Sequence, residues 1–131
     1  MGFLHTHRVR YHETDAQGYL FNSRYLEIAD VAMTEFFRAL GWPYDKLTAN
    51  GIDPSVVSAQ LTFRAPARFD DVLEFRVSCT RVGRSSFELR HTVARGDAEL
   101  AEITIVYANV DVAVGRSRAL PTAITTALSP G

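Results

Sequence analysis

An acid, a glycine and an amide stand close together in YHETDAQGYLFNSRYLEIAD, residues 11–30. Asp15 lies three residues before Gly18 and seven before Asn22, where a helical pattern begins. Turn chemistry explains each residue singly: aspartate bonds local amides, glycine permits a reversal, and asparagine or the following Ser23 caps a helix. The set also holds the parts for chemistry at a carbonyl. A carboxylate can attack carbon or take a proton from water. The first amides of a helix lack intrahelical partners and carry partial positive charge, so a carbonyl aimed at them is polarised. Tyr11, four residues before Asp15, could bond a carboxylate or pack as a strand tyrosine.

These residues need elements to hold them. Residues 3–13 alternate loosely, with Phe3, Val9 and Tyr11 on one parity, and read as a strand broken by Ala16-Gln17-Gly18. From Asn22 to about Leu40, Tyr25, Ile28, Ala29, Ala32, Phe36 and Leu40 recur at three- and four-residue steps, the period of one helix face. Gly41 and Pro43 supply the stop, and a helix of this length spans ~26 Å. Beyond residue 54 the period becomes two. Val57, Ala59, Leu61, Phe63 and Ala65 oppose Ser58, Gln60, Thr62 and Arg64, and 73–80 and 87–93 alternate likewise, with turns at VGRSS and RGDAE. The last strand, roughly 99–112, is apolar on both parities, which implies cover on both faces and hence a second subunit. The order is strand, long helix, then four antiparallel strands: an α+β layer arrangement in one domain, 1–131, with a peripheral tail after about 115 and a short helix from Pro121.

Composition narrows the partners. The 14 basic and 15 acidic residues give a net charge of −1, no electrostatic case for nucleic acid. One cysteine, Cys79, excludes an intrachain disulfide and a cysteine-based metal cluster and reads as a core residue. His5 and His7 lack a clear third ligand and read as exposed strand residues, so no metal site is expected. No stretch reaches membrane-spanning length and MGFLHTHRVRY lacks a secretory apolar run, so a cytoplasmic protein is expected.

The strand order and the 11–30 stretch together resemble the hot-dog-fold acyl-CoA thioesterases, nearest the 4-hydroxybenzoyl-CoA thioesterase family and its Tol-Pal-associated relatives. The matching elements are Tyr11, Thr14-Asp15-Ala16-Gln17-Gly18, the apolar Tyr19-Leu20-Phe21, and Asn22-Ser23-Arg24-Tyr25. The strands LTFRAPARFDDVLEFRVSCTRVGRSSFEL and AEITIVYANVD match in character, so the resemblance covers roughly residues 5–121. It implies a curved antiparallel sheet wrapped around one long central helix and hydrolysis of an acyl-CoA or acyl-carrier-protein thioester in a homodimer or homotetramer. It further implies Asp15 as nucleophile or general base, with amides near Asn22 and Ser23 polarising the carbonyl and Tyr11 as an accessory group. Gly18 and Tyr19 would shape the substrate path. No metal or redox cofactor is called for; coenzyme A is part of the substrate. Of Arg64, Arg68, Arg81, Arg84 and Arg90, the turn residues Arg84 and Ser85 are the best candidates for its phosphates. Relatives with histidine in place of Asn22 can move a proton there, whereas asparagine only donates or accepts a hydrogen bond. That difference leaves a second reading, a non-hydrolytic acyl-thioester binding protein of the same fold. A hot-dog dehydratase is a weaker third, since no histidine heads this helix.

Overall fold

The structure, a computed structural model, describes residues 2–129. Strand β1 (Phe3–Arg8) is followed by a single 3₁₀ turn (Tyr11–Glu13), the long helix α1 (Asn22–Ala39) and a short helix α2 (Tyr44–Ala49). Strands β2 (Pro54–Phe63), β3 (Val72–Val82), β4 (Ser86–Arg95) and β5 (Ala98–Asp111) come next, then the two-residue β6 (Arg116–Ser117) and helix α3 (Thr122–Leu128). The antiparallel sheet has the order β1-β3-β4-β5-β2, with β6 paired to the end of β5.

The period-two residues do what their alternation demands. Leu73, Phe75 and Val77 of β3, Phe87, Leu89 and Val93 of β4, and Ile103, Ile105 and Tyr107 of β5 form one buried face. Against it lies the apolar stripe of α1: Tyr25, Ile28, Ala29, Ala32, Phe36 and Phe37. Ala29 and Ala32, fully buried, leave room for the helix to sit close to the sheet. Phe37 meets Phe87 edge-on with ring centroids 5.5 Å apart. Truncating such a ring to alanine costs about 3–5 kcal/mol. One polar side chain shares this layer. His91 is fully buried, both ring nitrogens lack partners among the described residues, and burial pulls its pKa down to about 4.

Helix α1 ends as its sequence requires. Gly41 takes φ +86°, its N–H bonds Arg38 O at 3.0 Å, and the Trp42 N–H reaches back to Phe37 O at 2.8 Å. This left-handed closure satisfies carbonyls that would otherwise be open.

Several expectations need correction. The first strand stops at Arg8, so residues 11–13 form a 3₁₀ turn. The tail is not peripheral: Leu120, Ile124 and Leu128 are buried in the core. His5 and His7 are half-buried rather than exposed. The double-sided apolar pattern of β5 has a partly local cause. The register slips where β4 pairs Val93 with Ala101 but Ala94 with Glu99, and this bulge puts Leu100 and Ala101 both into the core. Exposed apolar side chains also line β2, the sheet edge, where Val56, Val57 and Phe63 are 55%, 60% and 49% exposed.

Candidate active site

The loop between the 3₁₀ turn and α1 folds back on itself at Gly18, which adopts φ +79°. The Asp15 N–H bonds Tyr19 O at 2.9 Å, and the Gly18 N–H bonds Asp15 O at 2.9 Å. Asp15 Oδ1 accepts the amides of Gln17 at 2.9 Å and Tyr19 at 3.1 Å. Two backbone donors therefore fix one carboxylate oxygen. The other, Oδ2, has no hydrogen-bond partner among the described residues. Turn capping and an available carboxylate are thus two oxygens of the same side chain.

The loop is pinned at its far side. Thr14 bridges Leu20, Tyr19 bridges Arg68, and the Leu20 N–H bonds Ala67 O at 2.7 Å. The Arg68 guanidinium lies 4.9 Å from the centre of the Tyr19 ring. Asp71 holds the opposing segment through the Arg68 amide at 2.9 Å and the Arg95 guanidinium at 2.7 Å. Burial opposes the charge of Asp71, but these donors prevail and hold its pKa below the ordinary carboxylate range.

The head of α1 differs from expectation. Neither Asn22 nor Ser23 is the cap: Phe21 occupies that position, with φ −66° and ψ 140°, and supplies no side-chain hydrogen bond. Asn22 is the first helical residue. The Arg24 N–H turns back to Phe21 O at 2.9 Å, while the amides of Asn22 and Ser23 have no acceptor among the described residues. No acidic residue sits in the first turn to neutralise them. A polar side chain at the cap would have consumed one of these donors. Phenylalanine leaves them open.

A cavity of about 520 Å³ lies before this helix tip, lined by Asp15, Tyr19, Asn22, Tyr25, Phe63 and Arg64 among others. Tyr25 and Phe63 meet edge-on at 5.1 Å and form its apolar wall, while Arg64 is tied to Glu99 at 2.7 Å. Of the residues singled out from sequence, Asp15, Asn22, Tyr19 and, among the arginines, Arg64 line the cavity. Gly18 shapes the turn, and Ser23 contributes a free amide beside an exposed side chain. Tyr11 is neither a core nor a strand residue: it is 80% exposed, its ring packs edge-on against Phe69 at 5.9 Å, and its hydroxyl bonds nothing among the described residues. Arg84 and Ser85 lie elsewhere. Ser85 O accepts the Asn109 N–H, and Asn109 pairs with Pro54 at one end of β2, whereas the cavity adjoins Phe63 at the other. Strand β2 is ten residues long, so those ends lie ~30 Å apart. The contribution of Phe63 and of the Ala65-Pro66 segment went unseen in the sequence, because only the pairing of Tyr19 with Arg68 brings that strand end to the loop.

A curved antiparallel sheet packed against one long central helix is a hot-dog fold. The chain belongs to the thioesterase superfamily, whose profile matches residues 17–102. It is 30% identical over 120 residues to the acyl-CoA thioester hydrolase YbgC of Escherichia coli, which spans 89% of this chain and 88% of that protein. The crystal structure of a hypothetical protein from Aquifex aeolicus is similar with a TM-score of 0.90 at 28% identity, covering 97% of this chain and 99% of that one. A gentisyl-coenzyme A thioesterase superposes with a TM-score of 0.85 at 26% identity, covering 96% and 98%.

Proposed function

We propose that this protein hydrolyses acyl-CoA thioesters to a free acid and coenzyme A, with Asp15 as the reacting carboxylate. One observation carries the reading: Asp15 and Asn22 line the same cavity, one with an unbonded oxygen and the other at the head of a helix whose first amides are open. The superfamily profile begins at residue 17, so the role of Asp15 rests on this geometry and on the resemblance of the loop.

A thioester carbonyl directed at the Asn22 and Ser23 amides is polarised, and the charge that builds on its oxygen meets the positive end of α1. Asp15 Oδ2 then acts in one of two ways. As base it takes a proton from water, the hydroxide bonds to the carbonyl carbon, the C–S bond breaks and the thiolate leaves. As nucleophile Oδ2 itself bonds to that carbon and expels the thiolate, and water then cleaves the anhydride. Either sequence balances with water alone and needs no metal or redox cofactor. The Asn22 amide can orient the carbonyl but cannot shuttle a proton near neutrality. The Tyr25–Phe63 wall suits the apolar part of an acyl group.

The working form in this reading is a homo-oligomer. Strand β2 is a ten-residue edge carrying exposed apolar side chains, a ready template for pairing with a second copy. Arg84 and Ser85 can serve the phosphates of coenzyme A only if a neighbouring copy presents them. A single unpaired cysteine suits a reducing compartment such as the cytoplasm. Among the described residues, no helix is long and apolar enough to cross a membrane.

Thiol release from a panel of short-chain, long-chain and aryl-CoA esters tests the activity. Asp15→Asn should abolish release while ligand binding and folding persist. Retention of wild-type turnover by that variant would refute the assignment. Tight acyl-CoA binding by the wild type without thiol release would favour the non-hydrolytic binder instead. A single turnover in ¹⁸O-labelled water separates the two roles: the base route puts the label in the released acid, whereas a nucleophile route in which water opens the anhydride at the Asp15 carboxyl carbon puts it in Asp15.

A further inference from the structure

Glu13 is the only buried carboxylate among the described residues, 8% exposed, and the reaction outlined above does not use it. Its Oε1 accepts the Arg10 N–H at 2.7 Å and bonds His7 Nε2 at 2.9 Å. An ionised carboxylate only accepts, so His7 keeps its proton on Nε2. Burial alone would raise the Glu13 pKa. The Arg10 amide and His7, with His12 nearby, outweigh burial and hold it below the usual carboxylate value.

The main chain of the same residue does different work. Glu13 O accepts the N–H of Phe21 at 2.9 Å, and Phe21 is the residue immediately before α1. Thr14, next along, bridges Leu20. Glu13 is therefore fastened to β1 and its following turn through the side chain, and to the foot of α1 through its carbonyl. Asp15 lies two residues beyond Glu13, and the open Asn22 amide lies one beyond Phe21. Beside the Thr14–Leu20 bridge and the Leu20–Ala67 bond, Glu13 is the tie that joins both the Asp15 side of the loop and the foot of α1 to β1.

We propose that Glu13, held by His7, is a positioning residue that sets the gap between Asp15 Oδ2 and the open amides of α1. The inference rests on the role given to Asp15 above. Loss of the Oε1 acceptor frees the Arg10 and His7 donors and lets the 14–21 loop shift against the helix. Displacements of about 1 Å cost on the order of 100-fold in rate when reacting groups must align.

The test compares Glu13→Ala, Glu13→Gln and His7→Leu with wild type and Asp15→Asn. It measures kcat and KM on butyryl-CoA and benzoyl-CoA, and backbone amide hydrogen exchange without substrate. Glu13→Ala should lower kcat about 30-fold with KM within about twofold, since alignment rather than binding is lost. The amides of Tyr19 and Phe21 should exchange about tenfold faster in that variant. Glu13→Gln keeps an amide oxygen that can accept from both the Arg10 N–H and His7 Nε2–H, and should recover kcat to within about threefold of wild type. His7→Leu should fall between the two, and it decides the matter if Glu13→Ala does not fold. A purely structural role would lower Tm while leaving kcat intact in the folded enzyme, and that result overturns the proposal. So does equal loss in Glu13→Gln and Glu13→Ala, or unaltered exchange at Tyr19 and Phe21. A wild type that cleaves neither ester counts against the hydrolase reading, and the exchange measurement then still decides whether Glu13 fixes the loop.

Discussion

The two ends of the sheet are each tied by a buried polar side chain, yet they are finished differently. At one end, Asn109 leaves nothing over. Its Oδ1 accepts the Asp53 N–H at 2.9 Å, its Nδ2 donates to Gly51 O at 3.0 Å and Ala119 O at 3.3 Å, and its backbone pairs with Ser85 and Arg118. At the other end, Glu13 secures a loop that keeps groups unspent: Asp15 Oδ2 and the Asn22 and Ser23 amides. Native proteins match nearly all their polar groups, and the exceptions concentrate where a ligand completes them. The contrast marks one end as a clamp and the other as a site.

Four substitutions sharpen or break that contrast. The largest effect belongs to Asp15→Asn, which keeps Oδ1 for the Gln17 and Tyr19 amides but removes the charge. It should cut thiol release on the order of 10³-fold with Tm little changed, as steady-state assays and thermal melts will show. Asn109→Ala should do the reverse. Three part-buried hydrogen bonds are lost, so urea denaturation should report about 3 kcal/mol less stability with kcat intact below the melting range.

His91 distinguishes the shared core from both ends. Its folded pKa of about 4 lies below the ordinary histidine value of 6.5, so the unfolded chain binds a proton first as pH falls. Stability is therefore complete above about pH 6.5 and declines between there and about pH 4, by up to about 3 kcal/mol. His91→Phe should flatten that decline in pH-dependent unfolding. The smallest effect is Gly18→Ala. Space is open around a new Cβ, but φ +79° disfavours it, so a loss of about 1 kcal/mol is expected, with a fall in kcat because the strained turn carries Asp15.

What could be read beforehand was what depends on near neighbours in the chain. The α1 stripe, the Gly41 closure and the alternation of β3 and β4 are local periodicities, and Asp15 was legible as part of a compact loop pattern. The identity of the cap was not. Asn22 and Ser23 have better capping side chains than Phe21, but the Glu13 and Ala67 carbonyls draw the chain into the helix one residue earlier. Phe63 was equally hidden as a cavity residue, since its place depends on which strand end meets the loop, while Arg64 was legible only as one of five arginines suited to phosphate. The bulge at Leu100 turned that side chain into the core, one part of the two-faced look of β5. Arg84 is sound phosphate chemistry at the wrong end of a single copy.

The bare cap at Phe21 couples hardiness to performance. A substitution such as Phe21→Asp would let a side chain close the helix and strengthen the fold by about 1 kcal/mol. Under the proposed mechanism, the same carboxylate would occupy the donors that polarise the carbonyl oxygen and place a second negative charge beside Asp15. Thermostability and turnover compete for the same N–H groups, so a selection for heat resistance alone should recover capped helices in proteins that have stopped working.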